Sequence, residues 1–438
     1  MKRRTWLGVL IGVAVAVAIV AGVFIDLKRK AAAILEKHER ATLAKIEEFR
    51  SRSWPRVVMI GEALKGNRWD DLTKALDAFD GIPKVDLDEL PGFQDSDPDA
   101  KGDPERIDAV LAKHQSCVDQ LRAACRRNDL RPPYAYEDAY SMDLPYVTKA
   151  IQACRYLGVV AGRLHELGRD REAADAALLA LSVAQDMDCG GPAVNHLVGI
   201  VCEQHGTRAL RKVIEAHALS AGDLLEIGAM LDRLWGSRPR VLESLEIEDT
   251  IARLGLVRLV DDRNGAAAIG WGGAPKSWRH FFSVTLMFAE ALNEYEVFFA
   301  EAMRIDALRG PERREAADAL HRRTSGSRNP IVAQMLPTVA KVLRRDMMAE
   351  MNWNLMRTSV ALAAYEKERG AFPSKLEELV PRYLSRVANC PTSGKPVQMA
   401  PGKAWAFGGD GDDDGGRPMV DEDREDEDGD VVWTVKRK

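Results

Sequence analysis

The 438-residue sequence has six cysteines (Cys117, Cys125, Cys154, Cys189, Cys202 and Cys390) but no C-x-x-C pair, which removes zinc-ribbon arrangements from consideration. An even number permits disulfides in an extracytoplasmic chain. A chain this long can bury a core without them, so the thiols are expected as small apolar side chains. A strong overall charge is also lacking: the net charge is −5, too little for a whole-chain field directed at nucleic acid.

Catalytic motifs are missing as well. His165-Glu166 begins like a metalloprotease helix, but Arg169 stands where H-E-x-x-H needs its second histidine. Cys189, His196, Cys202 and His205 follow no familiar zinc spacing, and the more economical reading is four partly buried helix residues. No G-x-S-x-G elbow occurs. The glycine-rich stretch Asn264–Pro275 matches neither phosphate-loop pattern and reads as a surface loop. Acid–base carboxylate pairs assembled from distant residues, as in a hydrolase, would be invisible at this level.

The chain does contain an uncharged run from Trp6 to Ile25, preceded by Lys2, Arg3 and Arg4 and followed by Asp26, Lys28, Arg29 and Lys30. About twenty helical residues at ~1.5 Å each match the ~30 Å hydrocarbon core of a bilayer. The run is therefore expected to be a single N-terminal transmembrane helix, with residues 1–30 as the anchor. Ala16-Val17-Ala18 imitates a signal-peptide cleavage site but lies inside the run. Basic residues flank both ends, so charge counting leaves both orientations open; a short basic tail before a long domain suits export, placing the large domain in an extracytoplasmic location.

Beyond the anchor, 46% apolar and 29% charged residues describe globular material, and helical periodicity dominates. The expected fold class is mainly α, with stacked helical hairpins and a small C-terminal α+β module. Residues 31–80 read as a stalk helix and first helices, with Ile34, Leu35, Leu43, Ile46 and Phe49 near helical spacing. Residues 81–145 read as linker-rich with one helix over about 105–127, and 146–330 as the hairpin-stacking domain. Leu157, Val160, Leu164 and Leu167, a Gly168-Arg169-Asp170 turn, and a second helix with Ala173 and Ala180 make one hairpin that resembles a tetratricopeptide repeat. The basic segment 309–330 reads as a connection into a long helix over about 331–369.

The sharpest chemical signal is acidic. Between Asp410 and Asp430 there are twelve acidic residues against Arg417 and Arg424. Asp410, Asp412 and Asp414 alternate, Gly415 follows at once, and Asp421 closes the spacing D-x-D-x-D-G-x5-D. That is the spacing of an EF-hand calcium loop with Asp in place of the closing Glu. A hard cation takes six to eight oxygens at ~2.4 Å, and alternating carboxylates on a tightly turned backbone converge on one point. Pro418 and Arg417 depart from an EF-hand, and a solvated acidic tail is the competing reading.

The last hundred residues carry a family resemblance. Ala361-Leu362-Ala363-Ala364-Tyr365 leads into Arg369-Gly370-Ala371-Phe372-Pro373, then Gly394-Lys395-Pro396, Phe407-Gly408-Gly409-Asp410-Gly411 and Asp430-Val431-Val432-Trp433. This resembles the soluble part of the major pseudopilin of type II secretion. The resemblance implies a small calcium-stabilised α+β module over 331–438, with Asp410 and Asp412 as ligands and Asp428 or Asp430 returning to the same ion. Lys2–Leu7 lacks the processed leader and the following Phe-Glu of that family, and residues 31–330 interrupt its layout. The sequence thus points to a membrane-anchored extracytoplasmic helical scaffold or interaction protein with a protein partner, no nucleic acid, and calcium as a structural cofactor. A pseudopilin-like secretion component and a hydrolase stand as alternatives.

Overall fold

The computed structural model describes residues 2–93, 102–261, 278–420 and 428–435, with side chains omitted at 2–21, 24, 140, 260, 261, 278–286 and 334. Between Val23 and Ser51 the sequence holds neither glycine nor proline, so nothing in it breaks a helix, and helix α1 runs unbroken over Lys2–Ser51. Among the described residues no helix is long and apolar enough to cross a membrane. Nearly all of the run Trp6–Ile25 lies where side chains are outside the description.

The second half of α1 is not a free stalk. Ala31, His38, Thr42, Ile46 and Phe49 recur at helical spacing and are buried against the rest of the protein. The difference from expectation is a matter of partner. Period alone shows that a helix has an apolar stripe, not whether the stripe meets this chain or another.

After α1 come short strands β1 (Trp54–Pro55) and β2 (Leu64–Asn67), helices α2 (Arg68–Asp80), α3 (Lys84–Leu87), α4 (Pro104–Lys113) and α5 (Gln115–Ala124), and strand β3 (Arg127–Leu130). The strands form a sheet of order β1-β3-β2, antiparallel then parallel. None is longer than four residues, too short to declare a two-residue period in the sequence. The single helix expected over 105–127 is instead two, broken at His114. Asp103 caps the first by accepting from the Glu105 N–H at 3.0 Å, with Pro104 in its first turn.

Helices α6 (Tyr146–Glu166), α7 (Asp170–Asp188), α8 (Ala193–Glu215) and α9 (Ala221–Gly236) make the centre. The α6–α7 hairpin turns at Gly168, whose φ of 71° is left-handed. Ala173 and Ala180 are fully buried, and small side chains there let the helices approach closely enough for the Cys154 thiol to reach the Ala180 carbonyl at 3.7 Å. Every residue of α7 from Ala176 to Asp188 is buried. Tyr134, Tyr136 and Tyr146 pack edge-on against Trp69 and Phe49, fastening the 131–145 loop onto the helices.

The chain continues through α10 (Val241–Asp261), α11 (Trp278–Ala307), α12 (Gly310–Ser325) and α13 (Pro330–Arg369). The loop expected at 264–275 lies outside the described residues. Helix α12 occupies a segment that reads as a basic connection; Pro311 sits in its first turn, a favourable place for a residue that breaks helix interiors. Two apolar cores result, and α13 spans both. Ile331, Leu336 and Leu343 enter one with α10 and α11, whereas Met351, Met356 and Leu362 enter the other with α6–α9.

Gly370, at φ 73°, ends α13, and the chain closes with an antiparallel sheet of β4 (Gln398–Ala400), β5 (Lys403–Ala406) and β6 (Val431–Thr434). The protein is therefore mainly helical with small three-stranded sheets. All six cysteines are buried and unpaired by disulfide.

Candidate metal centre

The acidic segment is the connection between β5 and β6, whose register (Ala404 opposite Trp433, Ala406 opposite Val431) brings its two ends together. The return path is pinned beside the outgoing one. The Asp430 N–H donates to the Arg417 carbonyl at 2.7 Å, and the Met419 N–H to the Asp430 carbonyl at 3.0 Å. Gly408 is required here, because a Cβ would collide with the Gly429 carbonyl oxygen. Gly415 turns the chain at φ 68°, the conformation the sequence demanded of it.

On this frame Asp410, Asp412 and Asp414 each present a carboxylate oxygen within 4.8 Å of the others. Asp410 and Asp412 are exposed and Asp414 is partly buried. Burial, and then the neighbouring Asp412, push the Asp410 carboxyl above its ordinary range. Asp430 is fully buried behind the loop. Its Oδ2 accepts the Gly416 N–H at 2.7 Å, and burial, with Asp413 and Asp414 adding repulsion, raises its carboxyl to about 6.

Two carboxylate oxygens at this place are buried without a protein partner, Asp414 Oδ2 and Asp430 Oδ1. Leaving an acceptor oxygen desolvated and without a donor costs about 1–3 kcal/mol even when the other oxygen of its carboxylate is bonded, so such atoms favour a proton or a cation. The donor set is all carboxylate oxygen, suited to a hard divalent cation rather than to one that prefers sulfur or imidazole.

The other acids divide. Asp428 is exposed and bonded to the Arg417 guanidinium at 2.7 Å, which also reaches Asp414 Oδ1 at 2.7 Å. Asp421 lies outside the described residues. Asp413, which the alternating pattern passes over, has a role in the frame: its Oδ1 accepts from the Trp405 indole at 3.1 Å and from the Gly415 N–H at 2.9 Å. Its only signal in the sequence is a carboxylate two residues before a turn glycine, the pattern of an Asx-turn.

Sites elsewhere resolve into structural partnerships. His165 pairs with Asp170 at the hairpin turn. His196 is fully buried, with Nδ1 on Asp188 at 2.9 Å and Nε2 facing Asp346 at 3.2 Å. The Cys189 thiol donates to the Gln185 carbonyl at 3.2 Å. Burial opposes a proton on His196, but the two carboxylates outweigh it and raise the imidazole to about 10. Arg238 joins Asp346 to Glu203, and Arg313 joins Asp346 to Asp306 and Glu350. A groove of about 680 Å³ lies between α7 and α9, where Arg171 is matched by Asp175 and Glu226. Its lining shares no residue with the acidic loop.

No protein-family model, curated protein or solved structure matches this chain.

Proposed function

We propose that this protein is a membrane-anchored, non-enzymatic scaffold whose C-terminal module is held together by a calcium ion. The observation that carries the metal reading is the pair of buried, unpartnered oxygens, Asp414 Oδ2 and Asp430 Oδ1, beside the converging carboxylates of Asp410, Asp412 and Asp414. Those three residues would supply ligands from one side of the loop. Asp430 stands behind it, where it would respond to the ion's charge. The ion supplies positive charge that lets like-charged side chains share one small volume.

The anchor is the apolar run Trp6–Ile25 with its basic flanks, and the helical body is the part that meets a protein partner on the extracytoplasmic side. Its interaction role has the support of fold-level analogy with helical stacks.

Calcium titration of the full chain in detergent, followed by thermal melting, tests the metal reading. A ligand that binds only the folded form raises Tm with its concentration, by about 2.7 kcal/mol of stability at a hundredfold excess over Kd. The shift is expected to vanish in the double variant Asp410→Asn, Asp412→Asn. An unchanged Tm in millimolar calcium removes the metal from the proposal.

A further inference from the structure

Helices α7 and α9 are tied to each other near both ends and stand apart between. Near their N-termini, Arg171 donates to Asp223 at 3.3 Å and to Glu226 at 2.6 Å. Near their C-termini, the Gln185 side chain donates to the Leu234 carbonyl at 3.1 Å and accepts from the Ser237 hydroxyl at 3.4 Å. The two helices therefore run parallel, and the groove of about 680 Å³ lies along them. Its outer wall is the connection from β1 to β2, held on the end of α5 by the Met59 N–H, which donates to the Cys125 carbonyl at 3.2 Å. A concavity of this size lies in the range that takes small molecules.

The surface of the groove is apolar along its middle, where Leu178 of α7 and Met230 of α9 face Met59 and Ile60 of the wall. Ile60 is 51% exposed, so a ligand there would take apolar surface from water. The charges are matched at one end and not at the other. Arg171 is satisfied by Asp175, Asp223 and Glu226, and Arg122 pairs with Asp119 at 3.2 Å. Exposed Arg233 has no carboxylate partner among the described residues; its guanidinium donates only to the Met230 sulfur at 3.5 Å, a weak acceptor. Glu226 and Arg233 are seven residues apart on α9, so about 10 Å of apolar groove separates the neutralised end from the cationic one.

We propose that this groove binds a small amphiphile with one anionic head, an alkyl carboxylate, with the head on Arg233 and the chain along Met59, Ile60, Leu178 and Met230. The carboxylate supplies the charge-assisted acceptor that Arg233 lacks. A cationic head of the same chain length would meet Arg233 with like charge, so the groove discriminates by repulsion as well as by attraction. No residue of the groove belongs to α1 or to the acidic loop, so the site is independent of both the anchor and the metal.

The test is calorimetric titration of octanoate, whose chain has about the right reach, into the full chain in detergent. Octylammonium serves as the control for partition into micelles. Saturable binding of octanoate and none of octylammonium is expected. Arg233→Gln is expected to weaken octanoate about tenfold, the loss of one charge-assisted contact. Ala229→Trp, which fills the groove from α9, is expected to abolish it. Ala229 and Arg233 are both exposed, so both variants should melt as the parent does. Equal binding by octylammonium, or equal affinity in Arg233→Gln, overturns the anionic head. Binding that survives Ala229→Trp, or no saturable octanoate binding to the parent at millimolar concentration, overturns the site itself.

Discussion

At the level of single residues, the acidic loop is governed by burial and by repulsion among its carboxylates. Asp430 titrates at about 6 in the folded protein against an ordinary value of 3.8. The folded form therefore binds its proton more tightly than the unfolded chain does, and without metal the module loses stability as pH rises from about 4 through 6. A divalent ion reverses the preference by favouring the ionised form. The calcium-induced rise in Tm is accordingly expected to be larger at pH 7.5 than at pH 5, read from melts with and without calcium; equal shifts would separate Asp430 from the site. Arg417 is the nearest resident cation, bridging Asp414 and Asp428. Arg417→Gln removes a partly screened positive charge and is expected to tighten calcium binding about threefold by titration. Weaker binding would instead show that the guanidinium aims Asp414.

The elements are tied by the buried polar network more than by any loop. His196 of α8, Asp188 of α7, Asp346 of α13, and Arg238 and Arg313 from the flanking segments meet where the two apolar cores adjoin. Arg238 and then His196, working against burial, hold the Asp346 carboxyl well below the usual range. Removing one member leaves the others charged and unpaired, so Asp346→Asn is expected to cost about 3–5 kcal/mol in denaturant unfolding. The His196 contribution has the same pH sense as that of metal-free Asp430 but falls in a higher window. Its folded value of about 10 lies above the ordinary 6.5, so its stabilisation is complete below about 6.5 and fades as pH rises through 10. A His196→Gln variant should show a smaller difference in stability between pH 6.5 and 10 than the parent.

Across the whole molecule, legibility followed the length of the repeating pattern. The helices over 193–217, 221–235 and 278–308 stand out because each carries several apolar turns, and they form close to those limits. The strands of β1–β3, each two to four residues long, and the break at His114 are set by neighbours rather than by local pattern. At the acidic loop, alternation and Gly415 were enough to bring Asp410, Asp412 and Asp414 together, because turn geometry is local. The burial of Asp430 depends on a distant strand pairing, and the network around His196 joins residues as much as 158 positions apart, which no window can contain. The burial of α1 yields a test at this scale. Removing residues 1–30 should leave the body folded. Removing 1–51 strips Ile46 and Phe49 from the core and is expected to cost about 2–5 kcal/mol for each, seen as a large fall in Tm or failure to accumulate soluble protein.

Because α1 passes from its apolar run into the body as one unbroken rod, the body's altitude and compass bearing above a bilayer would be fixed by counting residues. Each alanine inserted between Asp26 and Ala31 would raise the body by about 1.5 Å and swing it through about 100° relative to the run. A swivelling tether would absorb such an insertion; a rigid mast passes it on undiminished to everything mounted above.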